Sequence, residues 1–168
     1  GVDPGTIRTG WGVIERKGRT LEFRAAGVIS TRGFHSLPQR LRVIYAGLVE
    51  VIHRWEPQVL SLEKAFLAYN VQSAFRLGEA RGVALLAATQ AGLRIAEYSP
   101  TEIKTAVVAY GRAEKSQVQK AVFALLGSKV VETLGPPASQ DATDALAAAI
   151  CHLNTSRLSE RILEAGGQ

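Results

Sequence analysis

The chain has 168 residues, 46% of them hydrophobic and 21% charged; that is enough for one domain with a sizeable core, in the composition of an ordinary globular protein. A single cysteine, Cys151, excludes an internal disulfide and fits a reducing cytoplasm, and no apolar run reaches the roughly 18–20 residues that span a bilayer. The net charge of +5 favours polyanionic partners, nucleic acid first.

The chain starts without Met and inside a strand, so residues are expected to precede Gly1; no signal peptide is visible. Gly1-Val2 reads as a strand remnant. Asp3 follows it and precedes Pro4-Gly5-Thr6, which fits a type II turn with Gly5 at the φ > 0 site. Residues 10–14 form a strand, Lys17-Gly18-Arg19 a turn, and 21–30 a longer strand, together a β-meander. From 37 to 54, Leu41, Ile44, Leu48, Val51 and Ile52 recur at helical spacing with Tyr45 beside them. Trp55-Glu56-Pro57 ends that helix, because the residue before a proline avoids the α region. Residues 59–63 are a short, nearly all-apolar strand, as expected when both faces are covered. A long helix over 70–90 has Asn70 as its N-cap and Gly92 as its stop. Residues 94–98 form another strand, and 100–109 and 115–126 two helices. Residues 127–139, with Gly135-Pro136-Pro137, read as a loop. The last helix covers 139–154, and 156–168 is a polar tail expected to fray. A meander followed by strands alternating with helices predicts an α/β domain with a mixed sheet, occupying 1–155 as one unit.

Four carboxylates stand where this pattern places strand ends or the start of a helix. Asp3 follows the first strand, Glu63 closes the strand 59–63, and Asp141 and Asp144 open the last helix. The latter two are spaced i and i+3 and so project from one side, while Ala142, Ala145, Leu146, Ala149 and Ile150 lie on the other. Each has an ordinary explanation to weigh. Aspartates in a first turn complement the helix dipole, and aspartate is common before Pro-Gly. Glu63 has neither a capping nor a turn role. Brought together, like charges about 4 Å apart repel by roughly 1 kcal/mol in water and more at lower dielectric, so either protons or a cation must join them. Hard oxygen ligands select Mg²⁺ or Mn²⁺ rather than Zn²⁺. His35, His53 and His152 are scattered and suggest no zinc site. A basic chain with a concentrated acidic site has the make-up of a metal-dependent nuclease, with cations to hold phosphates and acids to hold the ion that attacks one.

Six segments then occur in order: Gly1-Val2-Asp3-Pro4-Gly5-Thr6, Gly10-Trp11-Gly12-Val13-Ile14, Leu62-Glu63-Lys64-Ala65-Phe66, Gly78-Glu79-Ala80-Arg81-Gly82, Ala113-Glu114-Lys115-Ser116-Gln117-Val118 and Asp141-Ala142-Thr143-Asp144-Ala145-Leu146-Ala147. The set resembles the RuvC family of bacterial Holliday junction resolvases, from Gly1 to about His152. The resemblance implies an RNase H-like fold and a cytoplasmic homodimer. The implied activity is the Mg²⁺-dependent nicking of two opposed strands of a four-way DNA junction in recombination and repair, leaving 5′-phosphate and 3′-hydroxyl ends. It puts the metal-binding acids at Asp3, Glu63, Asp141 and Asp144, with two Mg²⁺ ions per subunit, Mn²⁺ as a substitute, and an all-carboxylate site. It also implies partnership with the RuvA–RuvB branch-migration complex.

Contacts with the junction are expected from the loop after Glu63 and from basic residues. Phe66, and to a lesser degree Tyr69, is placed to wedge against an unstacked base; packing under the next helix as a staple is the competing role. Lys104 and Lys115 match positions where the family places phosphate-contacting or catalytic lysines, and Lys115 also opens a helix, where backbone N–H groups favour a phosphate. Arg76 and Arg81 on the long helix are lesser candidates, each with a solvated surface charge as the alternative. That helix is apolar on more than one side (Val71, Ala74, Phe75, Val83, Leu85, Leu86), with Gly78 and Gly82 leaving a notch, which suits a two-fold dimer. Three rivals remain. A sugar-kinase or chaperone-type ATPase shares the Asp-x-Gly-Thr turn but needs two such domains. A related nuclease of ribosomal RNA precursors should lack the Lys115 segment and the aromatic loop. A non-catalytic junction-binding module should have lost acids that this chain keeps.

Overall fold

A computed structural model describes residues 1–64, 71–135 and 139–166, with side-chain detail to Ser156. Five strands and six helices follow one another in it: β1 (Val2–Asp3), β2 (Arg8–Lys17), β3 (Thr20–Ser30), α1 (Leu37–Trp55), β4 (Val59–Glu63), α2 (Val71–Gln90), β5 (Arg94–Tyr98), α3 (Pro100–Val108), α4 (Lys115–Leu126), α5 (Ser128–Leu134) and α6 (Gln140–Gly166). The strands form one sheet in the order β3-β2-β1-β4-β5. β1–β2 and β2–β3 are antiparallel, and β1–β4 and β4–β5 are parallel. This is the mixed sheet that the sequence pattern predicts, with the two-residue β1 at its centre.

Both faces are covered. On one, Val2, Leu60 and Leu62 pack with Ile44 and Leu48 of α1 and Ala80, Ala84, Ala87 and Ala88 of α2. On the other, Leu146, Ala147, Ile150 and Cys151 of α6 join Val107 of α3, Val118 and Val122 of α4 and Val130 of α5. Strand alternation sorts the residues: Trp11 and Ile29 face the α1–α2 side, and Val28 the α6 side. Among the described residues no helix is long and apolar enough to cross a membrane.

The seat of α6 decides where the acids go. Arg8, Gly10 and Gly12 alternate onto one face of β2. A Cβ on Gly10 would collide with the Asp141 carbonyl, and one on Gly12 would fall 2.5 Å from a Leu146 methyl carbon. A Cβ on Gly1 would likewise strike the Ala145 carbonyl. Three missing side chains therefore let the first turns of α6 lie on the backbone of β1 and β2. Ser61 of β4 closes the contact from the other side, its hydroxyl donating to the Ala148 carbonyl at 2.7 Å.

Several local expectations are corrected. Gly5 does not take a positive φ, so Pro4-Gly5 is not a type II turn. Gly5 is needed because a Cβ there would run into the Arg8 carbonyl. The buried Thr9 pins the turn, its hydroxyl donating to the Gly5 carbonyl at 2.9 Å. Residues 127–139 are not all loop. α5 forms despite three β-branched residues in seven, because Val130 is fully buried beside α4; packing outweighs propensity. The polar tail continues α6 to Gly166, since the run from Arg157 to Ala165 is rich in good helix formers and holds no glycine or proline. α1 does end before Pro57, but Glu56 escapes the α region into the left-handed one, at φ 45°. Asn70, Phe66 and Tyr69 lie outside the described residues.

Replacing Gly10 with alanine should lower the unfolding free energy by about 1–3 kcal/mol, the usual range for overpacking, in urea titrations. An unchanged value would mean that α6 does not sit on β2 as described.

Candidate active site

β1 and β4 are parallel neighbours, with Val2 opposite Leu62, so Asp3 and Glu63 leave the same edge of the sheet side by side. α6 starts over that edge and supplies Asp141 and Asp144. The four acids named from the sequence act on one another electrostatically. Asp3 is half-buried, and its carboxyl is pushed up to about 7, first by loss of hydration and then by Asp144, Asp141 and Glu63, with Lys115 pulling the other way. Glu63 is also raised, by desolvation and then Asp144, against Lys115 and Lys104. Asp144 is raised by desolvation and by Asp141, against Lys115.

Each acid of α6 leans on its own cation. Lys115 Nζ lies 3.5 Å from Asp144 Oδ2, with the lysine side chain 72% exposed. Arg8 Nε meets Asp141 Oδ2 at 2.5 Å, and the same guanidinium donates to Ser139 Oγ at 2.8 Å. As the side chains stand, no three His, Cys, Asp or Glu groups among the described residues are gathered closely enough to hold a metal. The donor chemistry nonetheless fits one: three carboxyls are raised by loss of hydration and by acidic neighbours, and a divalent cation relieves that stress as protons do. Carboxylate oxygens suit a hard ion such as Mg²⁺ or Mn²⁺.

The other named residues divide. Lys104 and Lys115 both bear on Glu63, as their effect on its ionisation shows. Arg76 is exposed on α2 and is not among the groups that shift the acids. The Arg81 side chain is only 13% exposed and is committed to Glu97 in an ion pair. It also donates to the Glu63 carbonyl at 2.8 Å, tying α2 to the ends of β4 and β5. Arg8 and Ser139 were not singled out from the sequence. The available signal was parity: Arg8 shares a strand face with two glycines, which marks it as lying under whatever crosses there. A cavity of about 840 Å³ lies at the opposite end of the sheet, lined by Val13, Val59, Leu60 and His152 among others, and has no part in this chemistry.

A family model described as crossover junction endodeoxyribonuclease RuvC matches residues 1–152. The chain is 43% identical over 159 residues to the protein of that name from Rubrobacter xylanophilus, covering 95% of this chain and 86% of the relative. The chain belongs to the RuvC family. The RuvC protein of Shewanella frigidimarina is 49% identical over 155 residues, covering 92% of this chain and 86% of the relative. The solved structure of T. thermophilus RuvC in complex with Holliday junction substrate superposes with a TM-score of 0.84 at 31% identity, covering 95% of this chain and 94% of that one. The observed sheet and flanking helices are thus those of the RNase H-like fold that the sequence resemblance implied.

An acid whose native pKa lies above its unfolded value binds its proton more tightly when folded. Asp3 therefore contributes stability below about pH 4 that is lost as the pH rises toward 7. In EDTA, Asp3→Asn should raise the melting temperature at pH 8 and leave a much smaller difference at pH 4. A variant that melts no higher than the parent at pH 8 would show that Asp3 is not under charge stress.

Proposed function

We propose that this chain is a junction-resolving endodeoxyribonuclease that nicks two opposed strands of a four-way DNA junction and leaves 5′-phosphate and 3′-hydroxyl ends. The observation that carries the reading is the convergence of Asp3, Glu63, Asp141 and Asp144 at one sheet edge, in a chain of the RuvC family. Nucleases of this family are metal-dependent, and the four acids would hold two Mg²⁺ ions per subunit, with Mn²⁺ able to substitute. Ions bound there would supply Lewis acidity for the attack of water on phosphorus and for the departure of the 3′ oxygen. Lys115, 3.5 Å from Asp144, steadies charge that develops on the phosphate. The catalytic set is therefore the four acids and Lys115.

Lys104, on the same side as Lys115, holds a neighbouring phosphate. We assign Phe66 the contact with an unstacked base, Tyr69 a lesser contact with the DNA, and Arg76 an outer backbone contact. Arg81 is better employed in fixing Glu63 than in touching DNA, given its hold on the Glu63 carbonyl. We assign the activity to the single domain of residues 1–155 and place it in the cytoplasm, beside the RuvA–RuvB machinery.

A homodimer completes the reading. Val71 and Phe75 on α2 are 68% and 70% exposed, and Leu86 51%. With Gly78 and Gly82, which have nothing within 4 Å of a built Cβ, they follow one stripe at spacings of four, three, four and four. An apolar stripe with a glycine notch suits close, symmetric packing of two α2 helices, and two equivalent strands require two equivalent sites.

With Mg²⁺ or Mn²⁺ the protein should nick a four-way junction symmetrically. Asp3→Asn should lower that rate by about 100-fold or more while junction binding persists. Cleavage of structured RNA in preference to the junction would overturn the assignment. In sedimentation at micromolar concentration the parent should run as a dimer and Phe75→Glu as a monomer. A parent that stays monomeric would remove the dimer.

A further inference from the structure

We infer that Arg8 is the positioning residue for Asp141: together with Ser139 it grips one carboxylate oxygen and leaves the other to the metal. This rests on the reading of the acids as metal ligands given above. Two donors converge on the same atom. Arg8 Nε reaches Asp141 Oδ2 at 2.5 Å, and Ser139 Oγ reaches it at 3.3 Å. The second arm of the guanidinium, Nη2, does not go to Oδ1 but to Ser139 Oγ at 2.8 Å. Arginine, serine and aspartate thus close a triangle, and among the described residues Oδ1 accepts no hydrogen bond.

The triangle has a fixed base. Arg8 opens β2 on the face that carries Gly10 and Gly12, so its side chain leaves the sheet beneath the start of α6. Ser139 stands just before that helix, and its carbonyl accepts from both the backbone N–H and the hydroxyl of Thr143, at 3.1 and 2.9 Å. A guanidinium presents its donors in a rigid fork, so gripping two groups at once restricts the Asp141 rotamer. Hydrogen bonding of a ligating carboxylate by a neighbour is how metal sites orient their ligands. Among the described residues Asp144 has no such clamp. Its partner Lys115 is 3.5 Å away and largely exposed, a contact that yields easily. The two acids of α6 are therefore held differently: Asp141 is fixed through Oδ2 as a one-oxygen ligand, and Asp144 is free to turn.

The opposite role for Arg8 is a resident cation that a metal must displace, and the two roles differ in sign. Titration of the whole protein with Mn²⁺ alone, following free Mn²⁺ by electron paramagnetic resonance, separates them. Arg8→Gln should bind Mn²⁺ about tenfold or more weakly, as loss of such supporting contacts usually does. Arg8→Lys keeps the charge but not the fork, so it too should bind more weakly than the parent. Ser139→Ala should fall in the same direction by less, and keeps the test open if an Arg8 variant fails to fold. Melting temperatures without metal should stay close to the parent's, since a pair whose side chains keep about a third of their surface in water, 38% and 31%, contributes modestly. Equal or tighter Mn²⁺ binding by Arg8→Gln, parental affinity in Arg8→Lys, or an unchanged Ser139→Ala would each overturn the clamp. A parent that neither binds Mn²⁺ nor cuts a junction would bring down the metal site itself, a different failure from a parent that binds normally while the variants match it.

Discussion

The whole arrangement depends on how closely α6 lies against β1 and β2. Four carboxylates do not gather unless something stronger than their repulsion holds the elements that carry them. Here it is the contact of a helix backbone with a sheet backbone, made possible where Gly1, Gly10 and Gly12 present no side chain. The helix beyond the contact is anchored by buried apolar residues, Leu146 and Ile150 among them. Burying one such side chain is worth roughly 1.5–3 kcal/mol, and several act together. Like-charge repulsion at the rim, about 1 kcal/mol per pair in water and more where water is excluded, does not dislodge them. The core thus holds an arrangement of charges that the charges oppose.

That opposition is visible in the ionisation of the site. Asp3, at the centre, is raised most, to about 7, because it is the most desolvated and has three acidic neighbours. The cations around it are graded in firmness. Arg8 is locked between Asp141 and Ser139, Lys115 is loosely held, and Lys104 acts on Glu63 without a direct bond. On the proposed function, such a site is prepared to trade protons for a divalent ion, and its loose lysine is available to a phosphate. Arg81 adds a second fixed point by holding the end of β4 against β5.

Much of this was legible in the sequence, for reasons that can be named. β4 and β5 were bounded to the residue because short apolar runs between turn signals have little freedom, and α4 because Lys115 to Leu126 is periodic up to a glycine. The acids were legible because a glutamate at the end of an apolar strand has no local purpose. What escaped notice depended on contacts distant in the chain. Arg8 and Asp141 are 133 positions apart, and only its parity with Gly10 and Gly12 sets that arginine apart among the 20 basic residues. α5 escaped because its β-branched residues argue against a helix that only the packing of Val130 sustains. Gly5 was assigned the right need for a missing side chain and the wrong reason: close backbone approach, not a positive φ.

Whether packing brings these oxygens into reach of one ion is decided by diffraction data collected at the manganese absorption edge from Mn²⁺-soaked crystals. An anomalous peak is expected at coordination distance, about 2 Å, from Asp3 and from at least one acid of α6. Anomalous peaks confined to other surfaces, with the four carboxylates making no contact to manganese, would contradict it.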